Sequence, residues 1–402
     1  MKQIGILGGG QLGMLLAQSI VRLGAEALIY DPEPEAPASR TVRTSVHASW
    51  QDRESLDKFL SKCDKATYEF ENIPYESLAK LSHSTPIIPS LDVLRITQNR
   101  AAEKEFLRSN ELPYVPYFVA DNVSSLEKQI DQLSFPVIIK STTGGYDGKG
   151  QVFLQNKEDF QKTISRAEKA LPNFPVIAEQ AIDLYMEVSC ITAHSAKGEK
   201  IVFPVFQNIH SNHILDTTVV PADIPANLTN TVQNLARQAT DKLGVIGILC
   251  TEFFISHKKT GGAKSAFSFD VFDLYINEFA PRPHNSGHIT ISSCSLNQFD
   301  ALARILLDVP LSQPFLAKAG YFCMANLLGD IWIEQGTTNG DKINLINLAD
   351  CPYPFEIILY GKEQALPGRK MGHLISHAES AQEAKERALK IRDKLKNTPC
   401  LK

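Results

Sequence analysis

The stretch Lys140-Ser-Thr-Thr-Gly-Gly-Tyr-Asp-Gly-Lys-Gly-Gln151 follows the apolar run Phe135-Pro-Val-Ile-Ile139 and leads into a second one, Gln151-Val-Phe-Leu154. The spacing predicts a buried strand ending on a lysine, a glycine-rich lid, and a second strand. Gly144, Gly145, Gly148 and Gly150 let a backbone bend sharply and come close to a ligand, so that its N–H groups face phosphate oxygens. A Walker P-loop is excluded, because its lysine follows the glycines and opens a helix. By itself the stretch fits a nucleotide-covering hairpin or a flexible hairpin with a surface lysine.

The rest of the chain narrows the choice. Its 402 residues suffice for two or three domains with ample core. A formal net charge of -4 points away from nucleic acid and from membrane surfaces. No apolar run approaches the length of a membrane span, and Gly8 cuts short the N-terminal apolar stretch, unlike a signal peptide. The seven cysteines are scattered and never form a C-x-x-C pair, which fits a reducing cytoplasm better than a disulfide scaffold or a zinc site.

Strands over 2–7, 25–30, 66–70 and 86–88 alternate with helical segments, so the first 95 or so residues read as a parallel α/β layer. A helix is expected over 99–109. A compact region over 117–185 follows, with strands at 135–139, 151–154 and 175–180 and a helix over 157–170. Beyond it, β-like runs at 187–195, 200–207, 246–255 and 271–279 suggest antiparallel hairpins, with a helix over 228–243. A helix is expected over 295–307, strands at 321–328 and 355–360 read as a smaller C-terminal unit, and a charged helix over 381–395 closes the chain.

Five constellations carry possible chemistry. Gly8-x-Gly10-x-x-Gly13, with Asp31 beyond it, matches the dinucleotide fingerprint of a nicotinamide enzyme. The same turn at a helix start holds any phosphate, and a sugar phosphate near Gln11 and Leu12 is the preferred reading. Glu252 and Glu278 each sit inside an apolar β run, where a carboxylate is costly unless paired or bound to metal. On neighbouring hairpin strands they would face the same way and share Mg²⁺. Asn277 would face the other side of an ideal strand and needs a local twist to join them. Arg282, held between two prolines and followed by a polar turn with two histidines, suits a small oxyanion or a transferring phosphoryl group. Glu179-Gln180-Ala181-Ile182 could offer backbone groups to a purine edge, with Glu187 on ribose hydroxyls; alone these residues also fit an ordinary surface. Lys362, Arg369 and Lys370 lie in a Gly/Pro-rich loop that could close over a phosphorylated substrate or simply be solvated.

In this order the motifs resemble the ATP-grasp superfamily, and within it the N5-carboxyaminoimidazole ribonucleotide synthase family. The resemblance rests on Gly8–Gly13, Tyr68-Glu-Phe-Glu-Asn72, Thr143–Gln151, Asn277–His288 and Pro367-Gly-Arg-Lys-Met-Gly-His373, and spans nearly the whole chain. It implies a mixed α/β and α+β architecture: a Rossmann-like domain over 1–98, an ATP-grasp domain over 99–308 with its lid subdomain near 117–185, and a small β-rich domain over 309–402. It implies an ATP-dependent carbon–nitrogen ligase that joins bicarbonate to 5-aminoimidazole ribonucleotide through carboxyphosphate, with Mg²⁺, in a cytoplasmic homodimer.

Carried over by motif position, Arg100, Lys140, Gly145, Tyr146, Asp147, Gly148, Lys149, Gly150 and Gln151 would contact ATP. So would Glu179, Gln180, Ala181, Ile182, Glu187, His210, Asn277 and Glu278, with Glu252 and Glu278 holding metal. Arg282 would hold bicarbonate and carboxyphosphate, acting with Tyr146, Glu71 and Lys362. Gln11, Leu12, Asp147, Arg369 and Lys370 would surround the ribonucleotide. Glu71 is preferred to Glu69 because it lies nearer the loop after the strand. Residues 256–270 are a longer insertion than the resemblance leads one to expect, which leaves the register of Glu252 against Glu278 open. Two other readings remain: another ATP-grasp ligase, acting on glycinamide ribonucleotide with formate or on biotin, and a nucleotide-binding protein without turnover.

Overall fold

The computed structural model describes residues 1–81, 85–144, 150–162, 174–258, 266–269 and 271–396. Strands β1 (Gln3–Leu7), β2 (Glu26–Tyr30), β3 (Thr44–Val46) and β4 (Lys65–Tyr68) form a parallel sheet in the order β3-β2-β1-β4. Helix α1 (Gln11–Arg22) follows β1 through Gly8-Gly-Gly10 and buries Leu12, Leu15, Leu16 and Ile20. Gly8 takes φ +110°, and a Cβ on Gly13 would come within 2.6 Å of the Gly8 carbonyl oxygen, so the turn needs both glycines. The expected strand at 86–88 is reduced to a single parallel bridge between Ala66 and Ile87. The segment ends at Pro89, which has no N–H to extend a ladder.

Helix α2 (Arg100–Ser109) starts where Asn99 caps it, its side chain accepting from the N–H groups of Ala101 and Ala102 at 2.9 and 3.1 Å. Strands β5 (Tyr117–Ala120), β6 (Val137–Ser141), β7 (Gln151–Leu154) and β8 (Val176–Gln180) make a separate antiparallel sheet in the order β5-β8-β6-β7. Its core is its own, built from Phe118, Ile130, Val137, Ile139, Leu154 and Val176. Lys140 and Gln151 are cross-strand partners at the mouth of the lid. Most of the helix expected over 157–170 lies outside the described residues.

The central sheet has ten strands. They are β9 (Leu184–His194), β10 (Lys200–Val202), β11 (Phe206–Ser211), β12 (Ile214–Val220), β13 (Gly247–His257), β14 (Phe267–Ser268), β15 (Phe272–Ala280), β16 (Tyr321–Leu328), β17 (Phe355–Leu359) and β18 (Lys370–Ala378). The order is β14-β15-β13-β9-β11-β12-β16-β18-β17, with β10 on β9. The single run expected over 200–207 is two strands, because Pro204 cannot donate to a ladder. Of the insertion, Phe267 and Ser268 form an edge strand on β15; 259–265 and 270 lie outside the described residues.

Helix α3 (Ala226–Lys242) covers one face with Val232, Leu235, Ala236 and Ala239. Helix α4 (Gln298–Leu307) packs Phe299 and Leu302 into the same core as Leu15 and Leu16 of α1, tying the first sheet to the central one. Asn297 starts α4 by accepting from the Asp300 N–H, which places the helix start later than the expected 295. The C-terminal strands continue the central sheet through β12 and β16. Their other face is covered by helix α5 (Ala381–Lys396) through Ala384, Ala388, Ile391 and Leu395.

Candidate active site

Two carboxylates meet where the hairpin β13–β15 crosses the molecule. Glu252 and Glu278 are direct cross-strand partners, and both line a cavity of about 560 Å³. The register then slips: Phe253 pairs with Ile276, so Asn277 is one residue too many. This β-bulge is the twist that the sequence required. It lets Asn277 and Glu278, neighbours in the chain, both line the cavity. Burial, reinforced by the Glu252 charge, pushes the Glu278 carboxyl above its ordinary value. Burial also works against a charged Glu252, but His284, with Nε2 2.7 Å from Glu252 Oε1, outweighs it and holds that carboxyl low.

Opposite this pair, Arg282 grips Glu71. Its Nη2 donates to Oε1 at 2.8 Å and its Nε donates to Oε2, a two-pronged contact that only a guanidinium makes. Burial disfavours the Glu71 charge, yet Arg282 overrides it and the carboxyl sits at about 2.

Glu69, two residues earlier, does something different. Its oxygens accept from the N–H groups of Gly10 and Gly13 at 2.5 Å each. The anion seat at the start of α1 is thus filled by the protein's own carboxylate. Asp31 accepts from the Gly9 N–H at 2.6 Å. The positions a dinucleotide would use are committed, which removes the redox reading. Gln11 and Leu12 line the cavity beside this turn.

The nucleotide side is built by β6, β8 and α2. Lys140 Nζ lies 2.5 Å from Glu179 Oε2, and Lys104 Nζ lies 3.6 Å from the other oxygen. Burial opposes the Glu179 charge, but the two lysines hold it at about 2. Arg100 donates to the carbonyls of Ser141 and Gly144 at 3.1 and 2.6 Å, at the root of the glycine segment. Arg100, Lys140, Gly150, Gln151, Glu187 and His210 all line the cavity. His210 Nδ1 sits 2.7 Å from Glu187 Oε2; burial lowers the imidazole pKa, but Glu187 raises it further. Gly145, Tyr146, Asp147, Gly148 and Lys149 lie outside the described residues.

Several expected residues stand off the cavity wall. Glu179 turns to its lysines. The N–H groups of Gln180 and Ala181 are committed to the carbonyls of Pro116 and Pro136 at 3.0 and 2.8 Å. Ile182 is likewise not part of the lining. Lys370 lines the cavity, at the start of β18 rather than in a loop. Lys362 donates to the Lys370 carbonyl at 2.7 Å and lies 5.7 Å from the Tyr360 ring centroid. Burial, with Arg369 adding to it, pulls its ammonium down to about 8. Arg369 donates to the Gln364 carbonyl at 2.9 Å.

The cavity also gathers residues that the sequence reading did not single out: Glu69, Glu103, Phe254, His284 and Asn285. The Pro-Arg-Pro-His-Asn turn carried a signal for two of them, since it marked a histidine beside the arginine. Only the fold separates its two histidines. His284 faces Glu252, whereas His288 is fully buried and stacks on His373 with centroids 5.0 Å apart. A buried chain stands behind His284. Thr218 Oγ1 donates to Asn208 Oδ1 at 3.2 Å, and Asn208 Nδ2 donates to Ser189 Oγ at 2.9 Å. Ser189 Oγ and Ser286 Oγ are 2.9 Å apart, and Ser286 Oγ is 2.8 Å from His284 Nδ1. Burial opposes a charged His284, but Cys250 and Glu252 raise it to about 10.

Three family models match the chain. These are the Ribonucleotide synthetase preATP-grasp domain over residues 1–98, the ATP-grasp domain over 105–299, and the Phosphoribosylaminoimidazole carboxylase C-terminal domain over 323–387. N5-carboxyaminoimidazole ribonucleotide synthase of Bacillus subtilis is 34% identical, over 92% of this chain and 90% of the relative. An ADP complex of an N5-carboxyaminoimidazole ribonucleotide synthetase superposes with a TM-score of 0.85 at 34% identity, covering 97% of this chain and 96% of the other. The Aspergillus clavatus N5-carboxyaminoimidazole synthase, solved with ADP and 5-aminoimidazole ribonucleotide, gives a TM-score of 0.83 at 28% identity over 98% of both chains.

Proposed function

The chain belongs to the N5-carboxyaminoimidazole ribonucleotide synthase family of ATP-grasp ligases, and from that premise we propose a role for each wall of the cavity. The enzyme catalyses ATP-dependent carboxylation of 5-aminoimidazole ribonucleotide, a carbon–nitrogen ligation of purine biosynthesis. Bicarbonate oxygen attacks the γ-phosphorus and ADP leaves, giving carboxyphosphate. The substrate's exocyclic amine then forms the new C–N bond, either on carboxyphosphate or on CO₂ released from it. Phosphate departs and the amine proton is lost.

The donor set at Glu252 and Glu278 suits magnesium. Two hard carboxylates are direct cross-strand partners, and desolvation with the Glu252 charge pushes Glu278 toward its neutral form even though Arg100 and Lys140 act against that. Glu252 and Glu278, with Asn277 beside them, would hold it. Bound there, magnesium would neutralise the phosphate charge that grows during transfer. Phosphoryl transfer needs positioning and charge neutralisation more than covalent help. Lys140 and Arg100 are cations on the nucleotide wall. By motif position, Gly145–Gln151 would contact the phosphates and help keep water from an intermediate that hydrolyses readily. The segment Glu179-Gln180-Ala181-Ile182 stands off the described cavity wall and would edge the purine through groups other than the Gln180 and Ala181 N–H, while Glu187 would border the ribose with His210 steadying it.

Arg282 carries the reading: a largely buried guanidinium, held by Glu71 and lining the same cavity as the carboxylate pair, would be the seat for bicarbonate and carboxyphosphate. By motif position, Tyr146 and Asp147 would contact the substrate. Lys362, Arg369 and Lys370 would take the ribonucleotide phosphate, with Gln11 and Leu12 on its other side. We propose domain limits of 1–98, 99–308 and 309–402, a homodimer as in the family resemblance, and a cytoplasmic location. Cys63, Cys190, Cys250, Cys294, Cys323 and Cys351 are free. No described helix is long and apolar enough to cross a membrane.

ADP release measured with aminoimidazole ribonucleotide plus bicarbonate, with glycinamide ribonucleotide plus formate, and with biotin plus bicarbonate tests the assignment. Turnover is expected with the first set alone. Turnover confined to the second or third would overturn it, and nucleotide binding without any turnover would favour a non-catalytic protein.

A further inference from the structure

A β-bulge leaves backbone groups outside the regular ladder, and those beside Glu278 have specific partners. The Asn277 carbonyl accepts from Lys104 Nζ at 2.8 Å. The Phe279 N–H donates to Glu103 Oε1 at 2.7 Å. The two contacts flank Glu278 on either side. Glu103 and Lys104 are consecutive residues of α2, and each is only 2% exposed. Charged side chains are almost never buried this deeply unless paired.

Neighbouring helix residues point about 100° apart, so burying both takes a helix wedged between two walls. That is how α2 sits. Lys104 reaches from the bulge to Glu179 on β8, which in turn holds Lys140. Arg100, on the same helix, holds the carbonyls at the root of the glycine segment. An apolar residue at 103 would fill the space but leave the Phe279 N–H without its acceptor, and one at 104 would leave the Asn277 carbonyl without its donor and Glu179 with Lys140 alone.

We propose that Glu103 and Lys104 are positioning residues: a two-sided clamp on the bulge that aims Glu278 and Asn277 together at the nucleotide phosphates. They act through the strand backbone rather than by contact with the reacting atoms. The clamp rests on the metal reading of Glu252 and Glu278, and it ties the metal strand to the lid root through one helix.

The test uses the full chain with Glu103→Leu, Glu103→Gln and Lys104→Met. ADP affinity is measured by calorimetry with and without Mg²⁺, together with amide exchange at Phe279. In Glu103→Leu, the gain in ADP affinity conferred by Mg²⁺ is expected to fall about tenfold, and the Phe279 amide to exchange about tenfold faster. ADP affinity without Mg²⁺ is expected to change much less than that gain. Glu103→Gln keeps a carbonyl acceptor and is expected to restore both properties. Lys104→Met loses the same Mg²⁺-dependent gain, and serves alone if Glu103→Leu does not fold.

An undiminished gain in Glu103→Leu or Lys104→Met would overturn the clamp while leaving the metal reading intact. So would a Glu103→Gln protein as impaired as Glu103→Leu. If the unaltered enzyme binds ADP equally with and without Mg²⁺, the metal reading fails first and the clamp falls with it.

Discussion

Glu252 and Glu278 face each other directly across the β13–β15 ladder, one residue before the register slips. Like charges opposed across strands destabilise a sheet, and here desolvation and the Glu252 charge push the Glu278 carboxyl up. A pair kept in that state is suited to binding a cation that offsets the cost. Glu278→Gln is therefore expected to fold normally, by circular dichroism and thermal unfolding, while its turnover falls about 100- to 1000-fold. Near-normal kinetics in this variant would remove the pair from the mechanism.

Arg282 and Glu71 form a half-buried ion pair, and removing one partner leaves the other uncompensated. Arg282→Met should destabilise the protein by about 1–3 kcal/mol in urea unfolding, because Glu71 loses its partner while the cavity leaves it partly open to water. Adding Glu71→Gln should recover most of that stability but none of the activity. Recovery of activity in the double variant would show that Arg282 serves the fold alone.

Acid should weaken the protein in a defined window. Glu71 and Glu179 both sit at about 2 in the folded chain, against an ordinary 4.5. A carboxyl depressed by folding adds stability that is complete above its unfolded value and is lost as pH falls through the folded one. Unfolding free energy should therefore decline as pH falls from about 4.5 toward 2. Glu278 is shifted upward, so its contribution has the opposite sign and erodes stability as pH rises through its titration. Mg²⁺ should consequently raise the melting temperature more at neutral pH than near pH 5. Equal Mg²⁺ effects at the two pH values would count against carboxylate ligation.

Glu69 acts as the resident anion of the first helix. Glu69→Ala should cost about 2–4 kcal/mol, from two charge-assisted hydrogen bonds lost. Inorganic phosphate should then protect the variant from thermal unfolding more than it protects the parent, since the vacated N–H groups suit an anion. Equal protection of both proteins would show that the seat does not accept phosphate.

The chain behind His284 should matter for rate more than for nucleotide binding. Ser189 and Ser286 are fully buried and sit between Asn208 and the imidazole. Ser189→Ala is expected to lower kcat about tenfold with the KM for ATP unchanged, and Ser189→Thr to recover part of the loss. A parallel rise in KM with kcat intact would place the chain in nucleotide binding instead.

Local pattern carried the sequence reading a long way. The lysine-tipped strand, the glycine lid and its partner strand follow from apolar runs punctuated by glycine. The two metal-side glutamates stood out because a carboxylate inside an apolar β run requires a reason, and the helix expected over 99–109 is α2, with Asn99 as its cap rather than its first residue. These features depend on residues close together in the chain, so period and punctuation reveal them. The limits were also local. Pro204 split one expected strand into two, and Pro89 reduced another to a bridge.

Whatever depended on which segments meet in space was out of reach. The difference between Glu69 and Glu71, two residues apart, lies in what faces each: two glycine N–H groups for one, Arg282 for the other. Glu103 and Lys104 look like surface charges on an amphipathic helix until β8 and β15 close around them. Asn277 joins Glu278 only because β13 and β15 pair out of step. The sequence alone determined the fold class, the family and most of the chemistry-bearing residues, because each leaves a short-range signature of spacing. Tertiary structure alone decided which charges pair, which amides are already satisfied and which acids stay exposed to a ligand, because those choices are set by burial and by contacts between residues as far apart as 71 and 282.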